Sequence, residues 1–283
     1  MKTSDFLKMF LPFFVSTVFM LFADPMFGTD FKLYDAIGGY LNRPILNSNR
    51  INKLVVVYEN TILDPILSPE MIPPGSHKDL SPTVEKRVRD LAKYWKINNV
   101  PLVCLDIERW PALGNDEAIN MTINNFKTII GWIHDESPKT QVGIYGFLPI
   151  RDLNRAQNSP GSAPYQYWQN QNDRLKPLAN IVDVIFPSLY TLTADPDKWK
   201  TFATAMIQQA KLYNKPVYPY IWPRYHQSIS KLPGEFLPKS FWKMELKTVK
   251  SKADGTVIWD YVTNIAWDEN STWWKTFKST FNF

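Results

Sequence analysis

The chain has 283 residues, 45% of them apolar and 14% aromatic, which is enough for one large core and too apolar for a disordered polypeptide. Its 32 Lys and Arg against 27 Asp and Glu leave a net charge of +5. That excess is spread along the chain, so it suits a polyanionic substrate or a plain solvated surface, and no nucleic-acid partner is expected. A single cysteine, Cys104, permits no intramolecular disulfide, and His77, His134 and His226 lack paired zinc-ligand spacing, so neither metal nor cofactor is expected.

In chain order, the first feature is an apolar run from Met9 to Ala23 preceded by Lys2 and Lys8. Its length and flanking charge predict a signal peptide over residues 1–23, with the catalytic domain over 24–283. The expected product is secreted, to an extracellular, lysosomal or periplasmic space according to the host, with no stable membrane span after cleavage. An uncleaved anchor is the alternative reading of the same run.

Strands are predicted next at Ala36–Asn42 and Lys53–Glu59, from their β-branched and aromatic residues. A helix follows with Ser81 as its cap and Pro82 at its first position, carrying Val84, Val88, Leu91, Ala92 and Trp95 on one face. A third strand is predicted at Val100–Glu108, then a helix with Ile119, Ile123, Phe126, Ile130 and Ile133 on one face. Further strands are predicted at Gln141–Leu148 and Ile181–Tyr190, and a helix beginning at Asp195-Pro196 buries Trp199, Phe202, Ala203, Met206, Ile207 and Ala210. The last two strands are Lys215–Trp222 and Gly255–Tyr261. Two proline-rich loops, Pro69–Pro82 and Trp222–Pro238, read as groove walls or as simple long connections.

Alternating strands and helices imply a parallel sheet with crossovers. The chain has no Gly-x-Gly-x-x-Gly after the first strand and no Walker-type loop, which removes the usual nucleotide sites of open sheets. The expected fold is α/β, a TIM-type (β/α) barrel of seven or eight strands, distorted in places. The predicted strands end in Asn42, Tyr58, Glu59, Asp106, Glu108, Tyr145, Ser188, Tyr190, Tyr220, Trp222, Trp259 and Asp260. Barrel enzymes build their sites at that end.

Asp106 and Glu108 close the most apolar strand. Residues two apart on a strand share a face about 6–7 Å apart, so the two carboxylates resist joint ionisation and one of them is expected to keep a proton near neutral pH. A retained proton is what a general acid needs in glycosidic cleavage. Arg109 falls on the opposite face and is a poor partner for either acid. A pair on one strand does not flank a sugar ring, which favours substrate assistance, in which an N-acetyl group of the sugar supplies the nucleophile.

The segment Leu105-Asp106-Ile107-Glu108-Arg109-Trp110-Pro111 resembles the Asp-x-Glu-x-Trp signature of the hyaluronidases, glycoside hydrolase family 56. Six further segments resemble barrel strands of that family in order, from Tyr-Leu-Asn-Arg-Pro at Tyr40 to Val-Ile-Trp-Asp-Tyr ending at Tyr261. The resemblance implies Glu108 as proton donor and Asp106 as the residue positioning the acetamido group. It also implies that Tyr145, Tyr190 and Trp259 hold the sugar, and Tyr220, Trp222 and Tyr225 are candidates to line the groove. Two departures stand out: animal members of the family carry disulfides, and they have an arginine after the tryptophan, where this chain has Pro111. Since arginines pair with glucuronate carboxylates, the second departure bears on the choice of polymer.

The implied function is a monomeric, retaining endo-β-N-acetylhexosaminidase acting on an anionic polysaccharide of hyaluronan or chondroitin type. Two alternatives stay open: the same mechanism on a chitin-like or bacterial N-acetylglucosamine glycan, and a barrel that binds carbohydrate without cleaving it.

Overall fold

The structure, a computed structural model, describes residues 31–46, 50–64 and 80–282. The predicted export segment, His77 and most of the Pro69–Pro82 loop lie outside the described residues. Among the described residues eight strands are formed: β1 (Lys32–Gly38), β2 (Ile51–Asn52), β3 (Val55–Tyr58), β4 (Leu102–Asp106), β5 (Gln141–Tyr145), β6 (Val184–Phe186), β7 (Tyr220–Ile221) and β8 (Gly255–Tyr261). All their pairings are parallel, in the orders β2-β1-β8-β7 and β3-β4-β5-β6.

These two arcs close into one ring. β2 and β3 are successive pieces of one barrel strand, split at Lys53 and Leu54, with the first piece bonded to β1 and the second to β4. On the other side, parallel bridges at Ile185–Val217 and Ser188–Tyr220 tie β6 to β7. The result is a seven-position barrel of the TIM type, within the expected range.

Helices fill the crossovers: α1 (Glu59–Ile62), α2 (Pro82–Ile97), α3 (Asp116–Glu136), α4 (Leu153–Ala156), α5 (Ala163–Arg174), α6 (Lys176–Ala179), α7 (Pro196–Lys211), α8 (Lys239–Lys252) and α9 (Thr272–Phe281). The Ser81 hydroxyl caps α2 by accepting from Val84 N at 3.3 Å. Asp195 caps α7 by accepting from the amides of Asp197 and Lys198. Among the described residues no helix is long and apolar enough to cross a membrane.

Strand alternation sorts the core into two clusters. Outward-facing Val57, Val103, Leu105, Ile144, Ile185 and Ile258 pack against the helices. Inward-facing Tyr34, Cys104, Tyr145, Phe186, Tyr218, Tyr220 and Val257 fill the barrel lumen, which is therefore a packed and largely aromatic interior.

Several strand ends differ from expectation. β1 starts and stops four residues earlier than predicted, because Gly39 (φ +76°) and Asn42 (φ 56°) turn the chain left-handed there. Regular pairing on β6 stops before Pro187, which has no amide proton to offer, and Ser188 rejoins the sheet through a single bridge. β4 ends at Asp106, two residues short of the prediction.

Gly143 on β5 is small because Phe186 fills the lumen beside it. A Cβ at this position would lie 2.5 Å from Phe186 Cε2 and 2.6 Å from Val184 O. Gly143→Ala is expected to cost about 1–3 kcal/mol of unfolding free energy through overpacking. Gly131→Ala, on the exposed face of α3 where an added Cβ meets nothing within 4 Å, is expected to gain about 0.5–1 kcal/mol. Denaturant midpoints of the two variants, moving in opposite directions, test this reading of the lumen.

Candidate active site

On β4 alternation turns Leu102, Cys104 and Asp106 into the lumen, with Asp106 last, level with Tyr58 on β3. Asp106 Oδ1 is buried and has no hydrogen-bond partner. Burial, reinforced by the charges of Glu108 and Glu59, pushes the Asp106 carboxyl from 3.8 up to about 7.

Glu108 does not sit on the strand, so alternation does not place it beside Asp106. The chain leaves the sheet at Ile107, which is fully buried, and Glu108 emerges exposed at the edge of a pocket. The expected electrostatic coupling of the two acids nevertheless holds, since Glu108 is the second contributor to the rise on Asp106. The retained proton is therefore held on the buried Asp106, while Glu108 stands exposed at the pocket.

A third carboxylate, Glu59, stands at the start of α1. It accepts from the Arg109 backbone amide at 3.1 Å and from the Arg109 guanidinium at 3.3 Å, and Arg109 also donates to Asp64 O at 3.0 Å. Arg109 thus engages Glu59; like Glu108 it lies beyond the end of β4, so strand alternation does not set its direction.

Five of the six aromatic residues expected at the site form one contiguous cluster. Tyr145 lies 5.9 Å from Tyr190 and 4.9 Å from Tyr220, ring centre to ring centre, and Tyr190 lies 5.6 Å from Trp222 and 5.4 Å from Trp259. Trp222 and Trp259 meet edge-on at 5.0 Å. Burial holds the phenols of Tyr145, Tyr190 and Tyr220 above their ordinary pKa, so all three stay hydroxyl donors.

Their roles divide by exposure. Trp259 is the most open of the five, and its indole N–H faces the Tyr58 hydroxyl at 3.3 Å. Tyr220 is only 2% exposed and bears on the Cys104 thiol. It backs Tyr145 from behind and does not line the groove. Tyr225 also leaves the groove, packing on Phe241 of α8 at 6.2 Å.

Four residues given no role from sequence join the site. Asp260, fully buried, accepts from Tyr40 Oη (2.6 Å), Trp222 Nε1 (2.7 Å) and Arg224 Nε (3.0 Å), and so orients Trp222. Ser188 Oγ stands 2.9 Å from the Tyr145 hydroxyl and accepts from Arg151 Nη1 at 3.0 Å. His226 lies over the Tyr190 ring at 6.3 Å. Polar residues at strand ends were the signal for Ser188 and Asp260, whereas Arg151 and His226 sit on loops that carry no periodicity.

Fold and site together define a TIM-type (β/α) barrel with an acidic pair and an aromatic wall at the C-terminal ends of its strands. The solved structures similar to it include bee venom hyaluronidase, at a TM-score of 0.57 and 13% identity over 88% of this chain and 95% of that one. The same bee venom enzyme in complex with a hyaluronic acid tetramer matches at 0.57 and 14% identity, over 89% and 96%. An endo-β-1,4-mannanase from Thermotoga petrophila matches at 0.47 and 15% identity, over 71% and 49%. No protein-family model matches the chain, and no curated protein sequence does.

The Asp106 environment carries a stability cost with a definite sign. Between pH 3.8 and about 7 the folded chain holds a proton that the unfolded chain releases, so stability falls as pH rises through that window. Asp106→Asn removes the titration. The variant is expected to exceed the parent in unfolding free energy by up to about 4 kcal/mol at pH 8 and to show little gain at pH 3. Denaturant titrations at the two pH values check it, and an equal difference at both would contradict the buried-acid assignment.

Proposed function

We propose that the chain is a secreted glycoside hydrolase, a retaining endo-β-N-acetylhexosaminidase that uses the acetamido group of its substrate as nucleophile. The observation that carries the reading is the unpartnered, buried Asp106 Oδ1 beside an exposed Glu108, at the open end of an aromatic lumen. A buried polar atom left without a partner costs free energy, and a substrate amide would satisfy it. The similarity to bee venom hyaluronidase supports the fold on which this chemistry rests.

In the resting site Asp106 holds the proton. As an acetamido N–H docks on Asp106, the proton passes to Glu108, which delivers it to the departing glycosidic oxygen. The acetamido carbonyl oxygen attacks the anomeric carbon from the opposite face, and the cyclic intermediate carries positive charge on its nitrogen. Asp106, now an anion in a dry setting, stabilises that charge. Glu108 then takes a proton from the water that opens the ring, so the anomeric configuration is retained.

Glu59 supports substrate assistance by being unavailable: with Arg109 on both of its oxygens, it is not a free second carboxylate to serve as nucleophile. Tyr145 and Tyr190 offer hydroxyls to the sugar, and Trp259 offers a ring face for a pyranose to stack on.

The test is release of reducing ends from hyaluronan, chondroitin and chitin oligomers. Glu108→Gln is expected to lose activity by about 10²–10⁴-fold on whichever polymer is cut, with the β-anomer appearing first by NMR. Full activity in the variant, or initial release of the α-anomer, would sink the mechanism. Binding without turnover on every glycan would leave a lectin-like barrel.

A further inference from the structure

A cavity of about 250 Å³ opens beside Glu108, bounded by Trp110, Pro111, Tyr145, Ser188 and Arg151. Arg151 is its sole lining cation among the described residues. A guanidinium has five N–H donors, and here a single one is engaged, Nη1 on Ser188 Oγ at 3.0 Å. Its surroundings set it apart from seven other arginines of the described residues. Arg43, Arg87, Arg89, Arg155, Arg174 and Arg224 each touch a carboxylate, and Arg109 is held by Glu59. No carboxylate of the described residues lies within ion-pair distance of Arg151.

The guanidinium is also fixed in place. Ser188, which receives its bond, is itself 2.9 Å from the Tyr145 hydroxyl, so a relay of two hydrogen bonds ties Arg151 to the aromatic wall. Its field reaches across the site: after burial, the Arg151 charge is what lowers the pKa of His226, whose ring lies against Tyr190 and Trp222. A half-buried, oriented guanidinium with free donors facing a sugar-sized cavity is built to take a planar anion in two parallel bonds.

We propose that Arg151 receives the carboxylate of an acidic sugar lying next to the acetamido sugar, and that it sets the preference for an acidic over a neutral glycan. This rests on the glycosidase reading of the neighbouring carboxylates. The carboxylate has two possible sources, the ring carboxylate of a uronic acid or the lactyl ether of a muramic acid, and both present the same planar anion to the fork.

Binding to Glu108→Gln protein separates this proposal from the question of turnover. The ligands are a hyaluronan octasaccharide, the same octasaccharide with its carboxylates reduced to alcohols, a muramic-acid-containing glycan strand and a chitin hexamer, titrated by calorimetry. One carboxylated ligand is expected to bind at least about tenfold more tightly than both the reduced octasaccharide and the chitin hexamer, and the ligand that does so identifies the source. Arg151→Gln in the same background is expected to erase that ratio, with Arg151→Lys retaining part of it. Equal affinity for acidic and neutral ligands, or a ratio that survives Arg151→Gln, overturns the proposal. Should Arg151→Gln fail to fold, NMR of His226 with Arg151 intact decides. Its pKa is expected to rise with the preferred acidic ligand and to stay put with the reduced octasaccharide, and no rise with either overturns the proposal. A loss of the glycosidase reading would show instead as absent cleavage by the unsubstituted protein, with this binding ratio unaffected.

Discussion

The aromatic filling of the barrel lumen is the constraint on which the site depends. Tyr34, Phe186, Tyr218 and Tyr220 occupy the interior below the C-terminal strand ends, so a carboxylate pointing inward at the top of β4 rests on rings and a thiol. That floor offers Asp106 Oδ1 no hydrogen-bond partner, and burial first and the neighbouring charges second raise its pKa. The same floor limits what the strands can carry. Phe186 forces a glycine at position 143, and the Tyr145 ring is held by Tyr190 on one side and Tyr220 on another. Rigid rings are good positioning elements because they lose little rotamer freedom when packed.

Asp260 plays the complementary part at the rim. It is fully buried, yet it is surrounded by donors from Tyr40, Trp222 and Arg224, which join the end of β1, the end of β7 and the loop that follows β7. Arg224 is held in turn over the Phe236 ring at 3.7 Å. Replacing such a buried ion pair with apolar residues is often neutral for stability, so its worth here lies in geometry. It fixes the indole of Trp222, and Trp222 meets Trp259 and Tyr190. Thus two aspartates at the same end of the barrel take opposite roles. Asp260 is saturated with donors and structural, while Asp106 keeps one buried oxygen without a partner.

Strand alternation makes much of this legible in the sequence. The apolar periodicity located the lumen-facing ends of β4, β5 and β8, and with them Asp106, Tyr145 and Trp259. It misjudged the places where the backbone stops being a strand. Glu108 follows a fully buried Ile107 that has left the sheet, and the second barrel strand is divided between two partners at Lys53 and Leu54. Neither break has a compositional marker, because tertiary closure of the ring sets where pairing ends. Tyr220 and Tyr225 show a second limit: tyrosine at a strand end reads alike whether its hydroxyl faces a groove or a thiol, and burial alone separates the cases. Arg151 and His226 lie on loops, where spacing carries no three-dimensional information.

The substrate question turns on two arginines that sequence alone could not rank. Arg109, next to the acidic pair in the chain, has the more suggestive position, yet its guanidinium and its amide are both engaged by Glu59. A guanidinium already neutralised at short range has little left for a ligand, since a second carboxylate would have to displace the first. Arg151 is 43 residues from Glu108 in the chain (151 less 108), and the ring of strands brings it to the same cavity with no carboxylate against it. Fold likeness at 13% identity extends to the barrel and leaves such choices open, because one barrel serves many chemistries through its loops. On the proposed glycosidase reading, the choice between an acidic and a neutral glycan falls to the pairing state of each cation, and pairing is decided by the loops that follow β4 and β5.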